Sequence, residues 1–147
     1  MGKIKSFTNK MGYKFLEHTA DLKVSVSEKT MEKSFASSAL ALKEAICGKI
    51  KVKSLIKKKI KVSGKDYESL LYNFLEEFLY LIDAKGFLLS KIDKLKISGF
   101  ELEAEVSGDK SSNYKSQFSN DVKAITYNEM FVRVNKEKCD IQFVLDV

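Results

Sequence analysis

A chain of 147 residues, 44% hydrophobic and carrying 10 phenylalanines and 6 tyrosines, is long and apolar enough to fill one core. Its formal charge of +6 admits an anionic partner such as nucleic acid but does not select one. No proline, seven scattered glycines, two cysteines outside any zinc or redox spacing and no apolar run near ~18 residues exclude a linker-divided array, a disulfide scaffold and a helical membrane protein.

The first twelve residues read as a basic tail, with a single domain over residues 13–147. Met1-Gly2-Lys3-Ile4-Lys5-Ser6 fits the N-myristoylation pattern, but that signal is short and a ragged tail is the plainer reading. With no secretory leader in view, Cys47 and Cys139 are expected as reduced core thiols of a cytoplasmic protein. Tyr13 to Phe15 and Leu22 to Val26 alternate like strands. Between them His18-Thr19-Ala20-Asp21 bends the chain and supplies its single histidine. A helix beginning near Thr30 carries Met31, Phe35, Ala39, Leu42 and Ile46 on one stripe and ends at Gly48.

Eight lysines and no acid fall between residues 49 and 65, alternating with Ile50, Val52, Ile60 and Val62. The pattern predicts a half-buried strand pair whose lysine-coated face guards a sheet edge. A nucleic-acid patch is the alternative, weakened by the lack of interleaved aromatics. A second helix, capped by Asp66, buries Tyr67, Leu70, Leu71, Phe74, Leu75, Phe78 and Ile82 and stops at Gly86. Leu95 to Ile97, a turn at Gly99, and Phe100, Leu102, Ala104 and Val106 alternating with Glu101, Glu103 and Glu105 form a hairpin with one wet face. The polar stretch Ser107 to Asp121 carries no motif. A last hairpin, Val122 to Val134 and Cys139 to Val147, completes an α+β sandwich of mixed or antiparallel sheet with two main helices.

A turn over residues 135–138 sets Val134 opposite Cys139, and strict alternation then sets Tyr127 opposite Asp146. One face would carry Val122, Ala124, Thr126, Met130, Val132 and Val134 to the core with Cys139, Ile141, Phe143 and Leu145, interrupted by Asn128. The other would carry Lys123, Ile125, Tyr127, Glu129 and Arg133 with Asp140, Gln142, Val144 and Asp146, so that Lys123 and Asp146 point the same way.

Carboxylates of Asp21 and Asp146, joined by the terminal carboxylate of Val147, make a hard oxygen set suited to calcium or magnesium, whereas a lone histidine and separate cysteines argue against zinc. No catalytic residue is expected. A nucleophile would have to rely on His18 with nothing set beside it, and Ser63-Gly64-Lys65 lacks the upstream glycine of a phosphate-binding loop. The plain structural alternative is that His18 and Asp21 bond main-chain groups at a strand bend. Residue patterns alone reach an α+β domain in which an oxygen-ligated cation site is one candidate.

At these residues the chain resembles the archease family. The likeness is carried by His18-Thr19-Ala20-Asp21, by the helix Asp66-Tyr67-Glu68-Ser69-Leu70-Leu71-Tyr72-Asn73-Phe74-Leu75-Glu76-Glu77-Phe78-Leu79-Tyr80-Leu81, by Val122-Lys123-Ala124-Ile125-Thr126-Tyr127 and by Asp146-Val147. These lie in order from about Tyr13 to Val147, which makes residues 13–147 an archease-like domain. The resemblance implies an accessory protein, not an enzyme, serving the GTP-dependent RNA ligase that joins a 2′,3′-cyclic-phosphate or 3′-phosphate end to a 5′-hydroxyl end in tRNA splicing and RNA repair. It implies that a metal-binding tip promotes guanylylation of the ligase histidine and multiple turnover. Carried onto this chain, Asp21, Asp146 and Val147 are the metal residues, for calcium, magnesium or manganese. Lys123 acts with the two acids in ligase activation, and His18 and Tyr127 lie around them. A chaperone-like modulator of a tRNA methyltransferase or another RNA-processing enzyme is the second role implied, and direct RNA contact through Lys49 to Lys65 a third. One departure is plain: Asn128 stands after Thr126-Tyr127, where the family has histidine.

Overall fold

Helices with buried residues on more than one side need cover on both flanks, and this chain supplies it with two separate sheets. The computed structural model describes residues 4–5, 12–18 and 21–147, with Ile4, Lys5, Glu17 and His18 described by main chain alone. In chain order the elements are β1 (Ile4–Lys5), β2 (Tyr13–His18), β3 (Asp21–Glu28), α1 (Met31–Cys47), β4 (Ile56–Ser63), α2 (Tyr67–Lys85), β5 (Phe87–Ser98), β6 (Glu101–Lys110), β7 (Ala124–Val134) and β8 (Cys139–Asp146). Two single-turn 3-10 segments, Ser111–Asn113 and Lys115–Gln117, lie between β6 and β7. All strand pairs are antiparallel. One sheet runs β1-β2-β3-β8-β7 and the other β4-β6-β5. No helix among the described residues is long and apolar enough to cross a membrane.

Both helices are stopped and started by the residues that local chemistry favours. Thr30 accepts the Lys33 amide at 3.2 Å, and Gly48, at φ 70°, ends α1. Asp66 and Ser69 form a reciprocal capping box on α2, which closes at Gly86 in the left-handed conformation. The Ser69 amide holds the Asp66 carboxyl below its usual range. α1 packs on β2, β3 and β8 of one sheet and β5 of the other, and α2 on β7 of the first and β4, β5 and β6 of the second. The core accordingly gathers Phe35, Leu42, Leu70, Leu71, Phe74, Leu75, Leu102, Ile141, Phe143 and Leu145. Because α1 is enclosed on two sides, it also buries Ser34, Ser37 and Ser38. Ser34 donates to the Cys139 carbonyl at 2.7 Å and Ser38 to the Ser34 carbonyl at 2.8 Å, so these hydroxyls are satisfied. Cys47 and Cys139 are buried free thiols, and burial pushes both up from the usual thiol range.

Two expectations from the sequence fail in the middle of the chain. Lys49 to Lys65 does not form a strand pair: only Ile56–Ser63 is extended, and it pairs with β6. The segment before it is a loop held by side chains, with Lys43 Nζ donating to the Ile50 carbonyl at 3.0 Å and the Lys53 amide donating to the Tyr114 hydroxyl at 3.0 Å. Nor is Ser107 to Asp121 simply a polar connection, since β6 continues to Lys110 and Ser107, Asp109 and Ser111 are buried. Asp109 accepts the Tyr114 hydroxyl and the Lys110 amide, both at 2.8 Å, and the Tyr114 hydroxyl first of all holds its carboxyl below the usual range. A side chain at Gly108 would meet the Leu88 carbonyl at 2.0 Å, so β5 and β6 approach as only glycine allows.

The outer face of the three-stranded sheet is a charge ladder. Lys59 and Lys94 flank Glu105, and Lys61 and Lys96 flank Glu103, in register across all three strands. Asp93 lies 3.9 Å from Lys57 and 3.8 Å from Lys91.

Candidate functional site

Strand β3 feeds Val24 and Val26 into the core and β8 feeds Ile141, Phe143 and Leu145, so their alternate residues face outward. On that outer face the antiparallel register pairs Ser27 with Asp140, Ser25 with Gln142, Lys23 with Val144 and Asp21 with Asp146. Asp140 is compensated: it accepts the Ser27 hydroxyl at 2.7 Å and lies 3.4 Å from Lys138 Nζ. At the opposite end, Asp21 and Asp146 stand directly across from each other. Directly opposed residues share a face with Cβ atoms about 4.5–5.5 Å apart, and like charges there are destabilising. Asp146 has Ala124 as its other neighbour, and the main chain of His18 pairs with Asp21. The Lys123 amide donates to the Asp146 carbonyl at 2.8 Å, which brings Lys123 to the same end of the sheet, on an exposed segment. Val147 follows, partly buried against the core.

Of the His18-Thr19-Ala20-Asp21 element, His18 is thus the last residue of β2 and Asp21 the first of β3, paired at the end of that hairpin. Thr19, Ala20 and the His18 side chain lie outside the described residues, as does most of the 1–12 tail. No group of three or more His, Cys, Asp or Glu among the described residues is arranged to hold a metal. Two adjacent carboxylates nevertheless fit a hard cation such as magnesium or calcium, with remaining positions filled by water, main-chain oxygen or phosphate.

The last hairpin departs from strict alternation. Val134 pairs with Cys139 as expected and the register holds to Phe131 opposite Gln142. It then slips, so that Thr126 pairs with Val144, Ile125 with Leu145 and Ala124 with Asp146. Residues 127–130 are the extra chain of a bulge, and a slip of an odd number of positions exchanges the two faces. Ile125 is therefore buried, Asn128 is exposed rather than core-facing, and Tyr127 is not opposite Asp146. Val134 is exposed too, although its pairing with Cys139 is the expected one; it is the last residue of β7. The alternation argument that joined Lys123 to Asp146 fails with it; the main-chain hydrogen bond joins them instead.

Tyr127 stacks on Tyr72 of α2 with ring centroids 4.3 Å apart and planes 5° from parallel. Burial first, then Glu76, raise the Tyr72 hydroxyl above the usual phenol range; burial first, then Asp66 and Glu76, raise that of Tyr127. Glu129 takes φ 58°, and its carboxylate meets Lys23 Nζ while its carbonyl accepts Gln142 Nε2, each at 2.8 Å. Lys23 and Gln142 bracket Val144, which is buried although it belongs to the outward row. The bulge thus reaches both faces of the sheet edge, and no glycine in the sequence marks it.

Three comparisons bear on this arrangement. The model of the archease protein family (MTH1598/TM1083) matches residues 13–147. The protein archease of Pyrococcus abyssi is 38% identical over 118 residues, 78% of this chain and 82% of that one. The solution structure of protein 1598 of Methanobacterium thermoautotrophicum aligns with a TM-score of 0.79 at 26% identity, over 93% of this chain and 99% of that one. The crystal structure of an archease, a possible chaperone, from Thermotoga maritima shares the fold, with a TM-score of 0.64 at 19% identity over 89% and 94% of the two chains.

Proposed function

The chain belongs to the archease family, and from that premise we propose that it is an accessory protein, without a catalytic centre of its own, that activates a GTP-dependent RNA ligase. The ligase is of the kind that joins 2′,3′-cyclic-phosphate or 3′-phosphate ends to 5′-hydroxyl ends, and the accessory role is to promote its guanylylation and so its repeated turnover. The reading rests on one observation: Asp21 and Asp146 are opposed in register, neither in a salt bridge with another side chain among the described residues, while Lys123 is tied by its amide to Asp146. Asp21 and Asp146, with an oxygen of Val147, would hold calcium, magnesium or manganese, which would offset the charge of nucleotide phosphates. Lys123, exposed beside them, offers an ammonium group to a phosphate oxygen. Positioning and charge neutralisation supply most of the catalysis in phosphoryl transfer, so two acids and a lysine at an exposed tip can assist a ligase that owns the reacting histidine.

Reconstitution with purified components tests this. The protein alone seals no RNA and hydrolyses no GTP, and adding it to the cognate ligase raises the number of joints made per ligase molecule. GTP turnover by the isolated protein, or a ligase whose turnover is unchanged by it, overturns the reading.

A further inference from the structure

The outward face of α2 differs from the rest of this basic chain. On a molecule of net charge +6, the helix and its cap carry Asp66, Glu68, Glu76, Glu77 and Asp83 against one lysine, Lys85. Spacings of four, four and three residues put Tyr72, Glu76, Tyr80 and Asp83 on one stripe, about 16 Å long. Tyr80 is 50% exposed, and Glu76 and Asp83 are exposed. The bulge adds Tyr127, 53% exposed, with one ring face against Tyr72. Tyr72 packs partly against the core, but Glu76, Tyr80 and Asp83 do not fill it; α2 serves the core with Leu70, Leu71, Phe74, Leu75 and Phe78 from its other side.

We propose that this stripe, with Tyr127, is a docking surface for a basic, arginine-bearing segment of a partner protein. Charge selects the sign: Asp66 caps the helix and Glu68 accepts the Val132 amide at 3.1 Å, but Glu76 and Asp83 on the stripe, with Glu77 beside them, repel a phosphate backbone and attract cations. The rings select the group. A planar guanidinium stacks on an aromatic face while keeping its N–H donors free for neighbouring carboxylates, which a lysine ammonium does less well. The chain itself contains such a contact, with Arg133 Cζ 3.9 Å from the Phe131 ring centroid. The stripe runs toward a cleft whose lining includes Leu79, Ile82, Asp83, Asp121 and Val122, with Lys115 as its one cation, just ahead of Lys123. A segment lying on the stripe would therefore reach the acidic end of the five-stranded sheet. The surface is made by its own residues, whatever that end binds.

The test is nuclear magnetic resonance titration of the full-length protein with an oligo-arginine peptide, an oligo-lysine peptide of equal length and a single-stranded RNA. The arginine peptide is expected to move the amides of residues 72–83 and of Tyr127, with affinity that falls as salt rises. The lysine peptide binds the same residues more weakly. Glu76→Lys with Asp83→Lys weakens arginine-peptide binding about tenfold or more, and Tyr80→Ala weakens it about two- to fivefold. All three side chains are exposed, and circular dichroism melts check that the variants stay folded. Shifts confined to the Asp21 and Asp146 end, unchanged binding by the charge-reversed variant, or RNA moving the same amides would each overturn the proposal.

Discussion

The two sheets both display charge on their outer faces and arrange it in opposite ways. On the three-stranded sheet, Glu103 and Glu105 each stand between two lysines, Lys61 and Lys96 or Lys59 and Lys94. On the five-stranded sheet, Asp146 stands between Asp21 and Ala124. A compensated, exposed ladder contributes little to stability, roughly 0–1 kcal/mol per pair, and serves mainly to keep edges β4 and β5 wet. An uncompensated pair of acids in direct opposition lowers stability and persists where a cation or partner compensates it. The lysine-rich segment, the strongest charge signal in the sequence, is on this comparison the quieter surface. Two aspartates about 125 residues apart in sequence form the informative one.

Several substitutions can break that contrast, beginning with the largest effect. If the three-stranded sheet is held by its inner face, Leu102→Ala, at a position with no exposure, should cost about 2–5 kcal/mol in urea denaturation. Asp109 comes next, and its effect depends on pH. Its native carboxyl titrates below the usual range because Tyr114 and the Lys110 amide bond to it. Its stabilising contribution is complete above the unfolded-state value and fades as pH falls through the native one. Thermal melts of Asp109→Asn should therefore lie below wild type near neutrality and converge with it below about pH 4.

The ladder itself should be nearly silent. Glu103→Gln is expected to change unfolding free energy by less than about 1 kcal/mol. The smallest shift has the opposite sign: Asp146→Asn, in the presence of a chelator, should stabilise the fold by a few tenths of a kcal/mol, roughly the value of one removed like-charge pair. Added calcium or magnesium should raise the wild-type melting temperature and leave that variant unmoved, because ligand bound to the native state alone stabilises it. A cation response retained in Asp146→Asn would separate the ion from this pair.

Much of the scaffold was legible before any coordinates. Both helices announce themselves by apolar stripes and by caps at Thr30, Gly48, Asp66 and Gly86, which depend only on neighbours in sequence. Long-range facts were less accessible. Periodicity cannot show that α1 is enclosed by two sheets, and so carries no sign that Ser34, Ser37 and Ser38 are buried. The bulge at 127–130 was hidden because a non-glycine residue, Glu129, takes the positive φ. Strict alternation therefore misplaced Ile125, Tyr127 and Asn128. Asp21 and Asp146 were recognisable as acids at strand ends and through family resemblance, but their direct pairing depends on β3 meeting β8, which no local pattern encodes.

The most direct measurement of the central claim is multiple-turnover ligation by the cognate RNA ligase in the presence of wild-type protein, Asp21→Asn, Asp146→Asn, Lys123→Ala and the ladder variants Glu103→Gln and Lys61→Ala. All five changes lie at exposed or partly exposed positions, and melts confirm folding. The account predicts that each tip variant loses at least about tenfold in supported turnover, equivalent to ~1.4 kcal/mol at the assisted step, while both ladder variants act as wild type. Tip variants that support ligation fully, or ladder variants that fail as badly, would contradict it.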